Sequence, residues 1–295
     1  MANTRDIRNR IKSVKNTAQI TRAMQLVAAS KMKRAQDLAV KGQTYADRLL
    51  ATLASIAEQL GEEETVAHPY LEKREVKRRG ILLVTTDRGL CGPLNSNLFR
   101  EIVRFPEEPP VRWFNIGRKG RQYLVRTKRD LQADFTISDK AGYGEVRPIL
   151  TAMDEQFRAG EIDTIEILYP RFVNTLNQEP RLTPLVPLDN LREFLAEREG
   201  EFGQLPSDER QMIFEPGAAE VLSEVLDLYI RKSLYQRILD AKASEHSARM
   251  VAMKAATDNA NNLVEDLTLE YNKARQAAIT QEILEISAAT FFNES

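Results

Sequence analysis

The chain has 295 residues, 42% apolar and 29% charged, the range of a folded soluble protein and outside that of a disordered one. A formal net charge of −1 gives no global pull towards nucleic acid or acidic lipid, and a single cysteine, Cys91, excludes an internal disulfide. No run approaches the length of an apolar helical span, which excludes a bilayer-crossing helix.

Proline and glycine divide the chain into three parts. The first Gly is Gly42, the first Pro is Pro69 and the last of either is Gly217, so residues 1–41 and 218–295 hold no helix breaker. In the first part Ile7, Ile11, Val14, Ala18, Ala28, Met32, Ala35 and Ala39 alternate steps of four and three, interrupted only by Thr21 and Gln25. This spacing predicts a coiled-coil helix over residues 1–57. Its start, MANTRDIRNRIKSVKNTAQITRAM, also has the basic, acid-poor character of a mitochondrial transit peptide, but the period continues to residue 41 with no cleavage-like change of composition. At residues 23–29 AMQLVAA is apolar on nearly every face, so the helix there should touch something besides its partner.

The middle, residues 76–190, reads as α/β. RGILLVTTDRG is a buried strand ending in a turn, NSNLFREIVRF a helix, VRWFNIG a strand, RKGRQYLVR a helix and EVRPILTAMDEQFRAG a third helix. IDTIEILYP and PRLTPLVPL are strands that could form a hairpin around TLNQE. The alternation favours a parallel, Rossmann-like sheet. Residues 191–216 are polar and weakly periodic and read as a loop or insertion.

Residues 217–292 read as one helix of roughly 110 Å at 1.5 Å per residue, too long for a globular domain. Met253, Ala256, Ala260, Val264, Leu267, Tyr271, Ala274 and Ala278 form its stripe. Residues 1–41 carry ten Lys/Arg against two Asp/Glu, and residues 218–295 eight against twelve, so the two helices also attract. An antiparallel coiled coil with an α/β domain at its base accounts for both stripes. The C-terminal helix is the longer, so its last turns, ITQEILEISAATFF, should project alone. SEHSARMVAMKAATDNANNL, residues 244–263, is small and lightly charged and reads as the cladding of the rod.

No chemistry-bearing constellation emerges. TTDRGLCGPLNSN, residues 85–97, stands where a doubly wound fold places a phosphate, but it has neither the Gly-Lys-Ser/Thr ending of a P-loop nor the dinucleotide glycines, and reads as a tight turn. Cys91 lacks an evident base, since only His68 and His246 exist, and the same shortage excludes the usual zinc sets. No catalytic residue, cofactor or metal is expected, which leaves binding or mechanical work. Residues 5–34 could serve a nucleic-acid binder, but their cations flank an apolar stripe that faces an acidic partner helix. A non-rotary coiled-coil adaptor gripping a helical partner fits the same stripe.

IRNRIKSVKNTAQITRAMQLVAASKM, TTDRGLCGPLNSNL and SEHSARMVAMKAATDNANNLVEDLTLEYNKARQAAITQEILEI, spread over almost the whole chain, closely resemble the gamma subunits of F-type ATP synthases. The resemblance implies a non-catalytic central rotor shaft, one copy per complex, turning inside a head of three alpha and three beta subunits. Its foot would ride with epsilon on the membrane c-ring, and the chain would lie peripherally on the cytoplasmic face of a bacterial membrane. It further implies that Met24 is sensitive in coupling, that Arg249, Gln276, Thr280 and Glu282 bond or pair with beta-subunit loops, and that Glu215 meets epsilon and the c-ring. Small side chains would keep such a shaft from being trapped at any one of three equivalent positions, since one buried Leu or Phe is worth roughly 1.5–3 kcal/mol. Two departures stand out: Pro93 replaces a usual glycine, and MIFEP at 212–216 replaces a more aromatic pattern. With Cys91 alone the chain cannot make the thiol switch of chloroplast members.

Overall fold

The computed structural model describes residues 4–59, 68–72, 74–106, 108–188, 214–215 and 217–293. Most of the expected loop, 191–213 with Pro216, lies outside them. The helices are α1 (Thr4–Gln59), α2 (Leu94–Arg104), α3 (Arg118–Arg126), α4 (Arg147–Arg158) and α5 (Ala218–Asn293). The strands are β1 (Arg79–Val84), β2 (Val111–Ile116), β3 (Leu131–Phe135), β4 (Thr164–Phe172) and β5 (Gln178–Val186). Two compact units result, Met1–Ala28 with Arg249–Ser295 and Ala29–Ala248, and both long helices contribute to each.

In the 29–248 unit the sheet runs β3-β2-β1-β4-β5, parallel except for β5, which closes an antiparallel hairpin with β4. The central strands β1 and β4 are buried in unbroken runs because both faces of the sheet are covered there. Ile81, Leu83, Trp113 and Leu168 meet Leu98 and Ile102 of α2 and Leu124 of α3 on one side. Their neighbours in the period-two alternation, Leu82, Val84, Phe114 and Ile167, join a second core. That core holds Ile149, Met153 and Phe157 of α4, Leu53 and Ile56 of α1, and Leu226, Ile230 and Leu234 of α5. β3, which the sequence reading does not include, is an edge strand with only alternate residues half-buried.

The β1 turn is built from its own side chains. Thr85 Oγ1 reaches the carbonyls of Ile116 and Gly117 at 3.0 and 3.2 Å and accepts from the Gly120 N–H at 2.8 Å. Gly117 holds φ at 98°, a left-handed conformation in which a Cβ would strike the Thr85 carbonyl, so glycine is required there. Asn95 Nδ2 donates to Thr86 Oγ1 at 2.8 Å, and Cys91 and Leu94 pack against Ala248 of α5. The corner where a doubly wound fold would seat a ligand is therefore occupied by the protein's own turn and helix.

Within this unit α1 and α5 run antiparallel: Gln236 Nε2 donates to the Ala39 carbonyl at 3.0 Å, and the Lys232 ammonium lies 5.5 Å from the Tyr45 ring centre. The helices approach closely at Gly42 of α1, where a Cβ would come within 2.8 Å of Lys232 Nζ and 2.9 Å of Gln236 Oε1. The stretch from Ser244, expected on the rod's surface, is enclosed as far as Ala248, and Ala241–Ala243 are enclosed with it. The β4–β5 hairpin is a principal reason: Ser247 Oγ donates to the Thr175 carbonyl at 2.8 Å, and seven residues earlier Asp240 accepts from the Phe172 N–H at 3.3 Å. Small polar residues here allow the hairpin to lie close against the helix while satisfying its backbone.

Burial pushes the Asp240 carboxyl from its ordinary 3.8 up to about 6, against the opposing pull of the Phe172 N–H and of Arg171, Arg237 and Arg181. Between those values the native chain holds a proton that the unfolded chain has released. The group's contribution to stability is thus present below pH 4 and lost as pH rises through 6. Asp240→Asn is expected to raise stability at pH 7.5 by roughly 1 kcal/mol and to flatten the fall between pH 5 and 7.5. Urea unfolding at the two pH values checks this; parallel pH dependence in wild type and variant would contradict it.

Candidate functional site

The unit formed by 1–28 and 249–295 is a helix pair with a seam of small residues. Ile7, Ala18, Thr21 and Ala28 of α1 are buried, as are Met253, Thr257, Ala260 and Leu267 of α5. At the centre Thr21 Oγ1 and Thr257 Oγ1 lie 2.7 Å apart. Each hydroxyl also approaches a carbonyl of its own helix, Ala18 at 3.1 Å and Met253 at 2.8 Å. Two protons thus serve three contacts: one hydroxyl donates across the seam and the other back to its helix. The seam fades after Tyr271 and Ala274, which are half-buried, and residues 275–286 are exposed on every side.

The outer surface of this unit carries two apolar stripes. On α1, Ile20, Ala23 and Val27 follow helical spacing with Leu26 beside them, and Ile20, Leu26 and Val27 are 61%, 58% and 55% exposed. On α5, Ile279, Ile283 and Ile286 make a second stripe, all three exposed. At 100° per residue Gln276 and Thr280 stand along one edge of that stripe and Glu282 along the other. Thr280 Oγ1 is bonded back to the Gln276 carbonyl at 2.9 Å, leaving its oxygen to accept from a visitor. Polar groups flanking an exposed apolar stripe are the anatomy of a contact surface.

The remaining named positions are more scattered. Met24 is half-buried on α1, one turn from Ile20, and Arg249 is half-buried on α5. Glu215 is exposed and belongs to the other unit, so the structure gathers Gln276, Thr280 and Glu282 but not all six. Among the described residues no cluster of His, Cys, Asp and Glu could hold a metal ion. His68 is buried, accepts from the Tyr70 N–H at 3.1 Å, and is lowered in pKa chiefly by burial, a turn-capping role. Sequence reasoning missed the buried charges Lys242 and Glu245, because an Ala/Ser-rich run looks solvated wherever it lies.

The fold, with paired helices in one unit and a five-stranded α/β sheet in the other, is that of solved rotor chains of ATP synthases. A chain of the Euglena gracilis mitochondrial ATP synthase rotor matches with a TM-score of 0.61 at 18% identity, over 94% of this chain and 98% of that one. A chain of the OSCP/F1/c-ring assembly of the same synthase matches with a TM-score of 0.66, also at 18% identity, over 97% and 93%. The family model described as ATP synthase matches residues 3–290. The ATP synthase gamma chain of Opitutus terrae is 52% identical over 99% of both chains, and that of Methylacidiphilum infernorum 45% identical over 99% of both. The chain belongs to the ATP synthase gamma chain family. It is a subunit of a membrane-associated complex, and no helix among its described residues is long and apolar enough to cross a membrane.

The hydroxyl pair gives a test of the seam. Thr21→Val or Thr257→Val alone is expected to cost about 1 kcal/mol, because each removes the bond across the seam and leaves the other buried hydroxyl only its own-helix carbonyl, while the double variant should cost less than the two together. Thermal unfolding of the three variants measures the coupling; strict additivity would mean that the hydroxyls do not act as a pair.

Proposed function

We propose that this chain is the central rotor shaft of an F-type ATP synthase, coupling c-ring rotation to ATP synthesis and hydrolysis at the beta subunits while carrying no catalytic group of its own. The observation that carries the reading is the exposed Ile279–Ile283–Ile286 stripe, edged by Gln276, Thr280 and Glu282, on a helix whose seam has ended. Each isoleucine is worth roughly 1.5–3 kcal/mol when covered, so an apolar sleeve gives the tip a seat. A sleeve of three equivalent walls lets that contact be exchanged in rotation with little net change. The stripe on α1, Ile20, Ala23 and Val27, is a second contact of the same kind, with Met24 at its edge.

The shaft lacks threefold symmetry. Each beta subunit would therefore meet a different face, with stripe, polar edge or charge turned towards it, and the faces would favour different conformations of the three sites. Rotation then exchanges those preferences, which is coupling by differential contact. In this reading Arg249, Gln276, Thr280 and Glu282 bond with beta-subunit loops, Glu215 lies at the foot against epsilon and the c-ring, and one copy serves each head of three alpha and three beta subunits. Residues 1–57 and 217–292 work as the coiled coil, 76–190 as the α/β domain and 191–216 as an insertion. The assembly would sit on the cytoplasmic face of a bacterial membrane, held there through the c-ring.

Mixing the chain with alpha and beta subunits from the same source should give one copy per three of each by size exclusion with mass determination, with ATPase activity that depends on it. A folded chain that fails to assemble would favour an adaptor instead. Met24→Lys should keep ATP hydrolysis and lose proton pumping, because a cation there adds a charge pair to be broken at every step. Hydrolysis and pumping both at wild-type levels in reconstituted vesicles would remove Met24 from the coupling surface.

A further inference from the structure

Within the 29–248 unit, α1, α5 and the segment joining β3 to α4 border a cavity of about 190 Å³. Its floor is apolar: Ala35 of α1, Ala141 of the connecting segment and Leu239 of α5 are buried, and Leu38 of α1 is half-buried beside them. Charged residues form the rim. Arg34, Asp139 and Lys140 are exposed there, Lys31 pairs with Asp139 at 2.5 Å, and the buried Lys242 pairs with Glu245 at 3.7 Å.

The chemistry of the lining selects the occupant. None of the lining residues holds a buried side-chain nitrogen or oxygen without a partner, so among the described residues nothing in the cavity calls for a charged or hydrogen-bonding ligand. Atoms that line an unfilled space lose contacts on one side, and an apolar molecule that fills it restores them. An apolar cavity of about 150 Å³ holds one benzene ring, so a space of this size takes a single ring with a small substituent.

We propose that this cavity binds a small neutral aromatic molecule, its single ring lying against Ala35, Leu38, Ala141 and Leu239 and any polar substituent kept at the rim. Arg34 and Lys140 favour an aromatic ring over a saturated one of the same size, because a cation is attracted to the face of an aromatic ring. An occupant touches α1, α5 and the connecting segment at once, and so stabilises their packing. The site uses residues of one unit only. It is independent of the rotor reading and of the apolar stripes that carry that reading.

The test uses the full chain with phenol as probe and cyclohexanol as its saturated counterpart. Phenol at about 10 mM should raise the unfolding temperature by about 2 °C, and cyclohexanol by less than half as much. Ala35→Met and Leu38→Phe, which fill the cavity from α1, should each abolish the shift, whereas Val103→Met at an exposed position of α2 should leave it intact. The fluorine resonance of para-fluorophenol should broaden with wild type and not with the filled variants, a reading that does not depend on the stability of the variant. Leu38 is only half-buried, so its variant keeps the test usable should Ala35→Met disturb the fold. No shift and no broadening with wild type, or the same response from wild type and both filled variants, would overturn the site. Equal shifts by phenol and cyclohexanol would overturn the preference for an aromatic ring.

Discussion

One uninterrupted helix has to satisfy three environments in turn. α5 contains no Gly or Pro, so its backbone is bonded internally along its length and only its side chains change with the surroundings. Through Ala241–Ala248 it is enclosed on all sides, from Met253 to Ala274 it has one covered stripe, and over residues 275–286 it has none. The other elements accommodate that helix. The β4–β5 hairpin is tied to it at Asp240 and Ser247, the β1 turn packs onto Ala248, and α1 brings its seam of small residues to it.

The polar groups buried along the helix are better understood as register marks than as sources of stability. Thr21 against Thr257, Gln236 against Ala39, and Ser247 against Thr175 each bond only at one setting of the elements. A seam of alanines alone could slide by a turn at little cost, because its knobs are nearly identical; a stranded hydroxyl makes such a slip expensive. Fixed register in a helix pair with small knobs gives a rod whose surface features stay at defined angles. The proposed coupling requires this, since the stripe on α1 and the stripe on α5 must keep constant positions around the shaft.

The long helices were legible because alternating steps of three and four leave few alternatives, and the α/β middle because apolar strands are punctuated by Gly, Pro and Asn. The hairpin could be read from TLNQE, where Asn174 Oδ1 accepts from the N–H groups of Leu176 and Asn177. β3 was not legible: LQADF is short, half polar and paired on one edge only, so nothing in its composition separates it from the loops beside it. The enclosure of Ser244–Ala248 was equally hidden. Close packing and an exposed sliding surface both select small residues, and only the position of a hairpin distant in sequence distinguishes them. The Ile279 stripe follows from its spacing, whereas the roles of Gln276, Thr280 and Glu282 come from the family resemblance.

The exposed end of α5 has an electrostatic character of its own. The carbonyl end of a helix bears partial negative charge and favours cations nearby, yet the last turn contains no basic residue, and Glu282 and Glu285 stand close before it. With no covered face over residues 275–286, those turns have little besides intrinsic propensity to resist fraying. Seating them in a sleeve would therefore restrict backbone freedom as well as cover isoleucines, and the ordering entropy would offset part of the contact energy. A tip that is weakly held by its own sequence binds its bearing less tightly than its apolar area suggests, which favours release at each step of a turning part.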